Sequence, residues 1–128
     1  NEVAFAGTLD DEPLQAILRQ SHLLALPSSY EGFGIAYLEG MSFGLPAIGG
    51  SEGAAHEIIA HEENGFLVQA RDVKSLAKHL RKLVYDREKL IKMSLAARKR
   101  YMTHPTWDES AAKIREFLVA FKKNSEAE

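Results

Sequence analysis

Cysteine is absent, which excludes a disulfide framework, a thiolate zinc site and a cysteine nucleophile together. A chain of 128 residues with 45% apolar content is long enough to bury a core without such staples. Zero cysteines also fits a reducing compartment. A basic excess is missing too: 16 Lys and Arg stand against 18 Asp and Glu, for a net charge of −2. The electrostatic footprint of a nucleic-acid binder is therefore not there. No apolar run approaches the roughly 20 residues that span a bilayer, and the first residues lack the basic-then-apolar layout of a signal peptide. These absences leave a cytoplasmic α/β domain as the expectation.

The hydrophobic pattern gives that class its shape. Val3–Ala6, Leu23–Leu26, Pro46–Ile48 and Phe66–Val68 are short apolar runs without polar alternation, the mark of strands covered on both faces. Between them lie helical stretches. Asp10, Asp11, Glu12 and Pro13 open the first, with Leu14, Ile17 and Leu18 facing inward. The second runs from Ile35 to Phe43 and stops at Gly44; the third covers about 54–60, behind the glycine-rich loop Gly49–Gly53. After Asp72 the chain is helical. Leu76, Leu80, Leu83 and Val84 share one face, and Leu90, Met93, Ala97 and Tyr101 share the next. Thr106-Trp107-Asp108-Glu109 has capping-box spacing before a last helix whose inward face is Ala111, Ile114, Leu118 and Phe121. Alternating strands and helices predict a Rossmann-like three-layer αβα domain, with a parallel sheet of about four strands and a helical C-terminal segment. Residues 1–122 form the domain, and 123–128 a polar tail expected to fray. Ligands of such sheets sit beyond the carboxyl ends of the strands, which directs attention to the loops at 27–34 and 49–53.

Pro27-Ser28-Ser29-Tyr30-Glu31-Gly32-Phe33-Gly34-Ile35-Ala36-Tyr37-Leu38-Glu39 is the informative stretch. Two glycines flank one aromatic residue between a strand and a helix. Glycine lets backbone N–H groups approach a ligand, and the helix behind adds unpaired donors and a favourable dipole for an anion. Strand-to-helix turns also need glycine for purely structural reasons. Glu31 and Glu39 straddle the turn, one before the helix and one inside it. A nucleotide diphosphate carrying a sugar has hydroxyls on both sides of its phosphates, which two such acceptors match. The plainer alternative is that Glu31 caps the helix and Glu39 is solvated.

Residues 23–44 resemble the signature of the retaining nucleotide-sugar glycosyltransferases of family 4, which have the GT-B architecture. The shared pattern is an apolar strand, Pro-Ser, Glu-Gly-Phe-Gly and a second Glu eight positions after the first. The likeness continues through Gly40–Pro46, Glu57, the turn and strand Asn64–Val68, Asp72 and Trp107. By resemblance Glu31 contacts hydroxyls of the donor sugar, and Glu39 binds the ribose. The backbone at Gly32, Phe33, Gly34 and Ile35 holds sugar and phosphate. The family is usually metal-independent, so no metal or other cofactor is expected. The implied partners are a nucleotide-sugar donor and a glycan or lipid-linked acceptor. The resemblance also implies that this chain is part of a C-terminal donor-binding domain, with earlier strand–helix units and the acceptor domain lying elsewhere; turnover by the isolated chain is then not expected. Gly53-Ala54-Ala55-His56-Glu57 departs from the family's frequent Gly-Gly-x-Pro-Glu. A non-catalytic binding or scaffolding domain is the alternative reading, because fold alone supports either.

Other motifs are weaker. His56 and His61 are five apart, roughly 140° around a helix, which does not suit a shared zinc ion. Ser28 and Ser29 lack a nucleophile elbow. Tyr30 fits a base-stacking role and a packing role equally. Arg98-Lys99-Arg100 reads as a solvated helix face, with peripheral membrane contact as the alternative.

Overall fold

The computed structural model describes residues 3–125, with side chains through Lys122. The elements are α1 (Asp11–Gln20), β1 (Leu24–Leu26), α2 (Ile35–Ser42), β2 (Ala47–Gly50), α3 (Ala55–Ile58), β3 (Gly65–Val68), α4 (Val73–Tyr85), α5 (Arg87–Met102) and α6 (Trp107–Ser125). The three strands form one parallel sheet in the order β1-β2-β3. Ala47, Ile48 and Gly49 of β2 lie opposite Leu24, Ala25 and Leu26 on one side, and opposite Gly65, Phe66 and Leu67 on the other.

The central strand β2 is buried at every position, and its alternate side chains feed two cores. Ala47 belongs with Tyr37, Met41, Ala55, Ile58, Ile59 and Ala97. Ile48 joins Phe66, Val68, Leu83, Leu90 and Met93. Burying a side chain of this size contributes about 1.5–3 kcal/mol, so the sheet is held from both faces, as its unbroken apolar runs imply. Helix α5 also closes the far end of α2. Ser94 Oγ donates to the Gly44 carbonyl at 2.6 Å, and the Arg98 guanidinium donates to the Ser42 carbonyl; these are the groups a helix C-terminus leaves unpaired. Asp72 and Asp86 cap α4 and α5, accepting from Ser75 N at 3.0 Å and Lys89 N at 2.8 Å.

The parallel sheet, flanking helices and helical C-terminal segment agree with the sequence pattern, and four details do not. Among the described residues the sheet has three strands rather than about four. Residues 3–6 form no strand and are exposed, Phe5 to 96%, because no neighbouring strand offers them a ladder among the described residues. Helix α3 ends at Ile58 instead of continuing to 60. Asn64 intervenes: its Oδ1 accepts from Ala60 N at 2.9 Å and its Nδ2 donates to the Ile58 carbonyl at 3.1 Å, taking groups the helix would use. Ile17, Leu80, Val84 and Tyr101 remain exposed although each was expected to face inward. The expected inner face of α6, Ala111, Ile114, Leu118 and Phe121, is likewise exposed. Periodicity specifies an apolar stripe but not what covers it. Of the expected frayed tail 123–128, residues 123–125 continue the α6 backbone, and 126–128 lie outside the described residues.

Candidate functional site

The site forms where β1, β2 and β3 end. After β1 the chain turns tightly, with Ser28 N donating to the Leu26 carbonyl at 2.9 Å. Gly50, the last residue of β2, lies against that turn so closely that a Cβ there would stand 1.9 Å from the Ser28 carbonyl oxygen. Further on, Gly53 and Glu31 form a parallel bridge, and Ala54 N donates to the Glu31 carbonyl at 2.7 Å. Ser51 N donates to the Val68 carbonyl at 2.8 Å, which ties in the end of β3. Main-chain contacts thus join the loops at 27–34 and 49–53, the two the sequence singled out.

Gly34 turns the first loop into α2. Its backbone is left-handed, at φ 83° and ψ 24°, and a Cβ would fall 2.6 Å from Ile58 Cδ1. Its carbonyl accepts from Tyr37 N at 3.0 Å and Leu38 N at 3.4 Å. As the first two residues of α2, Ile35 and Ala36 have N–H groups with no intrahelical acceptor, and the partial positive charge of the helix start lies there. Glu31 is half-buried, and its Oε1 accepts from Gly34 N at 3.2 Å. This is the local capping role that the sequence left open beside sugar binding. Glu39 is exposed on α2, about 6 Å along the axis from Ile35. Gly32 is open, with nothing within 4 Å of a built Cβ; Phe33 and Ile35 are exposed at 53% and 61%. All six sequence-identified residues therefore belong to one continuous loop and helix start.

Two residues with a part here went unrecognised from the sequence. Tyr37 is fully buried beneath the loop, and its hydroxyl donates to the Leu26 carbonyl at 2.9 Å. Burial raises its pKa above the usual tyrosine value; the Glu31 charge adds to this, and a backbone hydrogen bond with Gly50 opposes it. The hydroxyl therefore remains a donor. The single aromatic residue of α2, directly behind the glycine turn, was the available signal. Trp107 was noted only as part of the family likeness, yet its ring stacks on Phe33, with centroids 6.0 Å apart and planes 16° from parallel. Beside that stack lies a cavity of about 350 Å³, lined among others by Ile35, Leu38, Tyr101 and His104.

The remaining candidates disperse. His61 lies beyond the end of α3, and its Nδ1 accepts from Leu67 N. Arg98 reaches the carbonyl of Ser42, and Arg100 that of Glu57 at 2.9 Å. Among the described residues no helix is long and apolar enough to cross a membrane. What meets at the loops is a helix start with unpaired first-turn amides, with the Glu31 carboxylate beside it and Glu39 exposed further along α2; such a start suits an anion.

Known proteins share this framework. Residues 1–100 match the family model of glycosyl transferases group 1. The chain is 31% identical over 125 residues to a Mycobacterium tuberculosis GDP-mannose-dependent alpha-(1-6)-phosphatidylinositol monomannoside mannosyltransferase, covering 92% of this chain and 32% of that protein. It is 30% identical over 119 residues to the glycogen synthase of the same organism, covering 93% and 29%. The chain thus spans roughly a third of the length of the curated relatives it matches. Among solved structures, HepE of Anabaena in complex with UDP and glucose superposes with a TM-score of 0.81 at 26% identity, over 94% of this chain and 32% of that one. The C-terminal domain of the group 1 protein LpcC from Francisella tularensis gives 0.71 at 27% identity, over 77% and 51%. With the loop geometry, the parallel sheet and the family match in agreement, the chain belongs to the glycosyl transferases group 1 and has the Rossmann-like fold of a GT-B C-terminal domain.

Proposed function

We propose that the loops at 27–34 and 49–53, together with the start of α2, bind the nucleotide-sugar donor of a retaining glycosyltransferase of family 4. The observation that carries this reading is the left-handed Gly34 between Glu31 and α2, which starts the helix beside Glu31 and leaves its first-turn amides without intrahelical acceptors. In this reading the diphosphate lies on the backbone of Gly32–Ile35, Glu31 accepts hydroxyls of the sugar, and Glu39 accepts those of the ribose. HepE, whose structure contains UDP and glucose, and the GDP-mannose-dependent relative support a nucleoside diphosphate as the common ligand. The second relative's name also supports a lipid-linked acceptor, bound by parts of a longer protein.

The family resemblance implies the chemistry. The bond from the anomeric carbon to the diphosphate breaks, and the acceptor oxygen bonds to the same face of that carbon. The acceptor's proton passes to the departing phosphate oxygen. Charge developing on the diphosphate meets the helix start, and the reading calls for no metal. Glu31 needs one adjustment, because one of its oxygens already takes the Gly34 amide; its other oxygen is the available sugar acceptor.

An NMR titration of the chain with UDP, GDP and ADP tests the reading. Shifts confined to residues near 31–39 are expected for one nucleotide. Glu39→Ala should weaken that binding about tenfold or more, since hydrogen bonds to a charged acceptor contribute about 1.5–3 kcal/mol. Flat spectra from a folded chain with all three nucleotides would overturn donor binding by these residues. Unchanged affinity in Glu39→Ala would remove the ribose assignment.

A further inference from the structure

The geometry points to Trp107 as a positioning residue for the Gly32–Gly34 turn: the indole holds the Phe33 ring, and the start of α6 thereby sets nucleotide affinity. This rests on the donor-binding reading and adds to it a control element from outside the loop.

The supports of the loop are unevenly distributed. Glu31 is fixed through its carbonyl, which accepts from Ala54 N, and through its carboxylate, which accepts from Gly34 N. Gly34 is fixed by Tyr37 and Leu38. Between these anchors, Gly32 has open space around it and contributes no side chain. Phe33 is half exposed, with the cavity of about 350 Å³ beside it. Its stack on Trp107 is therefore the packing contact that restrains the middle of the turn.

The helical turn that carries Trp107 is capped. Thr106 N donates to Glu109 Oε2 at 2.7 Å, and Glu109 N donates to Thr106 Oγ1 at 3.2 Å, which fixes the first turn of α6. Upstream, Arg100 contacts His104 Nδ1 at 3.1 Å and donates to the Glu57 carbonyl. That connects the α5–α6 turn to α3, directly behind the 49–53 loop. The indole is 77% exposed, so its role is not that of a buried core residue. The stack on Phe33 is the route by which a displacement of the start of α6 reaches the turn.

Aromatic pairs of this kind are worth enough to change affinity about three- to tenfold when the loop must be ordered on binding. The test compares the wild-type chain with Trp107→Ala, Trp107→Phe and, as a control elsewhere on α6, Phe117→Ala. Affinity is measured with the nucleoside diphosphate that binds best among UDP, GDP and ADP. Amide hydrogen exchange is measured on the free proteins. Trp107→Ala should bind about three- to tenfold more weakly, with faster exchange at Phe33 and Gly34 and unchanged exchange at Phe66–Val68. Trp107→Phe should recover most of the affinity, and Phe117→Ala should match wild type. Wild-type affinity in Trp107→Ala overturns the proposal, as does faster exchange that extends equally through β3. Should the wild-type chain bind none of the three nucleotides, the donor reading falls, and nucleotide control by α6 falls with it. Exchange at Phe33 and Gly34 then decides whether Trp107 positions the turn: unchanged exchange overturns that as well.

Discussion

Replacing Gly53 by alanine tests the geometry of the site most directly, with Gly32→Ala as its partner. Gly53 has φ 78°, and an added Cβ would lie 2.2 Å from the Glu31 carbonyl oxygen and 2.9 Å from Glu31 N. Left-handed backbone costs a non-glycine residue about 1–2 kcal/mol. The clash is with backbone, so no side-chain rotation relieves it. The two loops must separate, at the expense of the hydrogen bond from Ala54 N to the Glu31 carbonyl, which contributes about 0.5–1.5 kcal/mol. The expected loss for Gly53→Ala is therefore about 1.5–3.5 kcal/mol. Gly32 has nothing within 4 Å of a built Cβ and no left-handed φ, and Gly32→Ala should fall within about 0.5 kcal/mol of wild type. Urea denaturation followed by circular dichroism reads both, provided the m-value is unchanged. The same displacement carries Glu31 away from its loop, so Gly53→Ala should also weaken nucleotide-sugar binding about tenfold or more. Equal stabilities for the two variants, or a Gly53→Ala protein within 0.5 kcal/mol of wild type, would refute the claim that main-chain contact between the loops holds the site.

Tyr37→Phe should cost about 0.5–1.5 kcal/mol in the same experiment; a cost above 3 kcal/mol would show that the hydroxyl has a larger role. His79 makes stability depend on pH. Its ring stacks on Phe66 at 4.1 Å, and its Nδ1 is buried without a partner among the described residues. Its pKa is lowered from the ordinary 6.5 by burial first, then by His61, Lys78 and Lys82, with Glu62 opposing. Below pH 6.5 the unfolded chain then binds the proton more readily than the folded one. The neutral ring's contribution is thus fully present above that pH, is lost as pH falls, and levels off beneath the depressed value. His104 is shifted the same way by burial and Arg100 and adds to the slope. Denaturation between pH 5 and 8 should show stability falling on acidification, with a shallower slope in His79→Phe; parallel slopes would refute the assignment.

How far the fold could be read from the sequence depended on whether its determinants are local. Gly34 and Gly44 bracket α2, and both take the positive φ that their positions require, so that helix was legible to within a residue. The capping aspartates and the Thr106–Glu109 box were legible for the same reason. Asn64 was not, because it ends α3 from four to six residues away through its side chain, and its neighbour Gly65 already explained the turn. The apolar run at 3–6 shows the limit of strand signals: a strand exists only where another chain segment completes its ladder. In the candidate site, the placement of both glutamates and the glycine turn on one loop and helix start was legible from their spacing. The approach of Gly50 to Ser28 and of Gly53 to Glu31 could not, since it depends on how two loops meet in space. Phe33 and Trp107 are 74 residues apart in the chain, and their stack leaves no sequence pattern.

The close backbone approach between the loops has a consequence for how such a site changes its ligand. Where glycine backbones and peptide groups hold a recess together, the frame does not depend on which side chains line it. Ser29 and Tyr30 are exposed on this frame, and each can be exchanged for a residue of different size or polarity while Gly50 and Gly53 keep the walls in register. The scaffold thus separates two tasks. A few glycines are indispensable and carry no preference among ligands; if the site binds a nucleotide-sugar as proposed, the replaceable residues around them are where a preference for one base or one sugar is written.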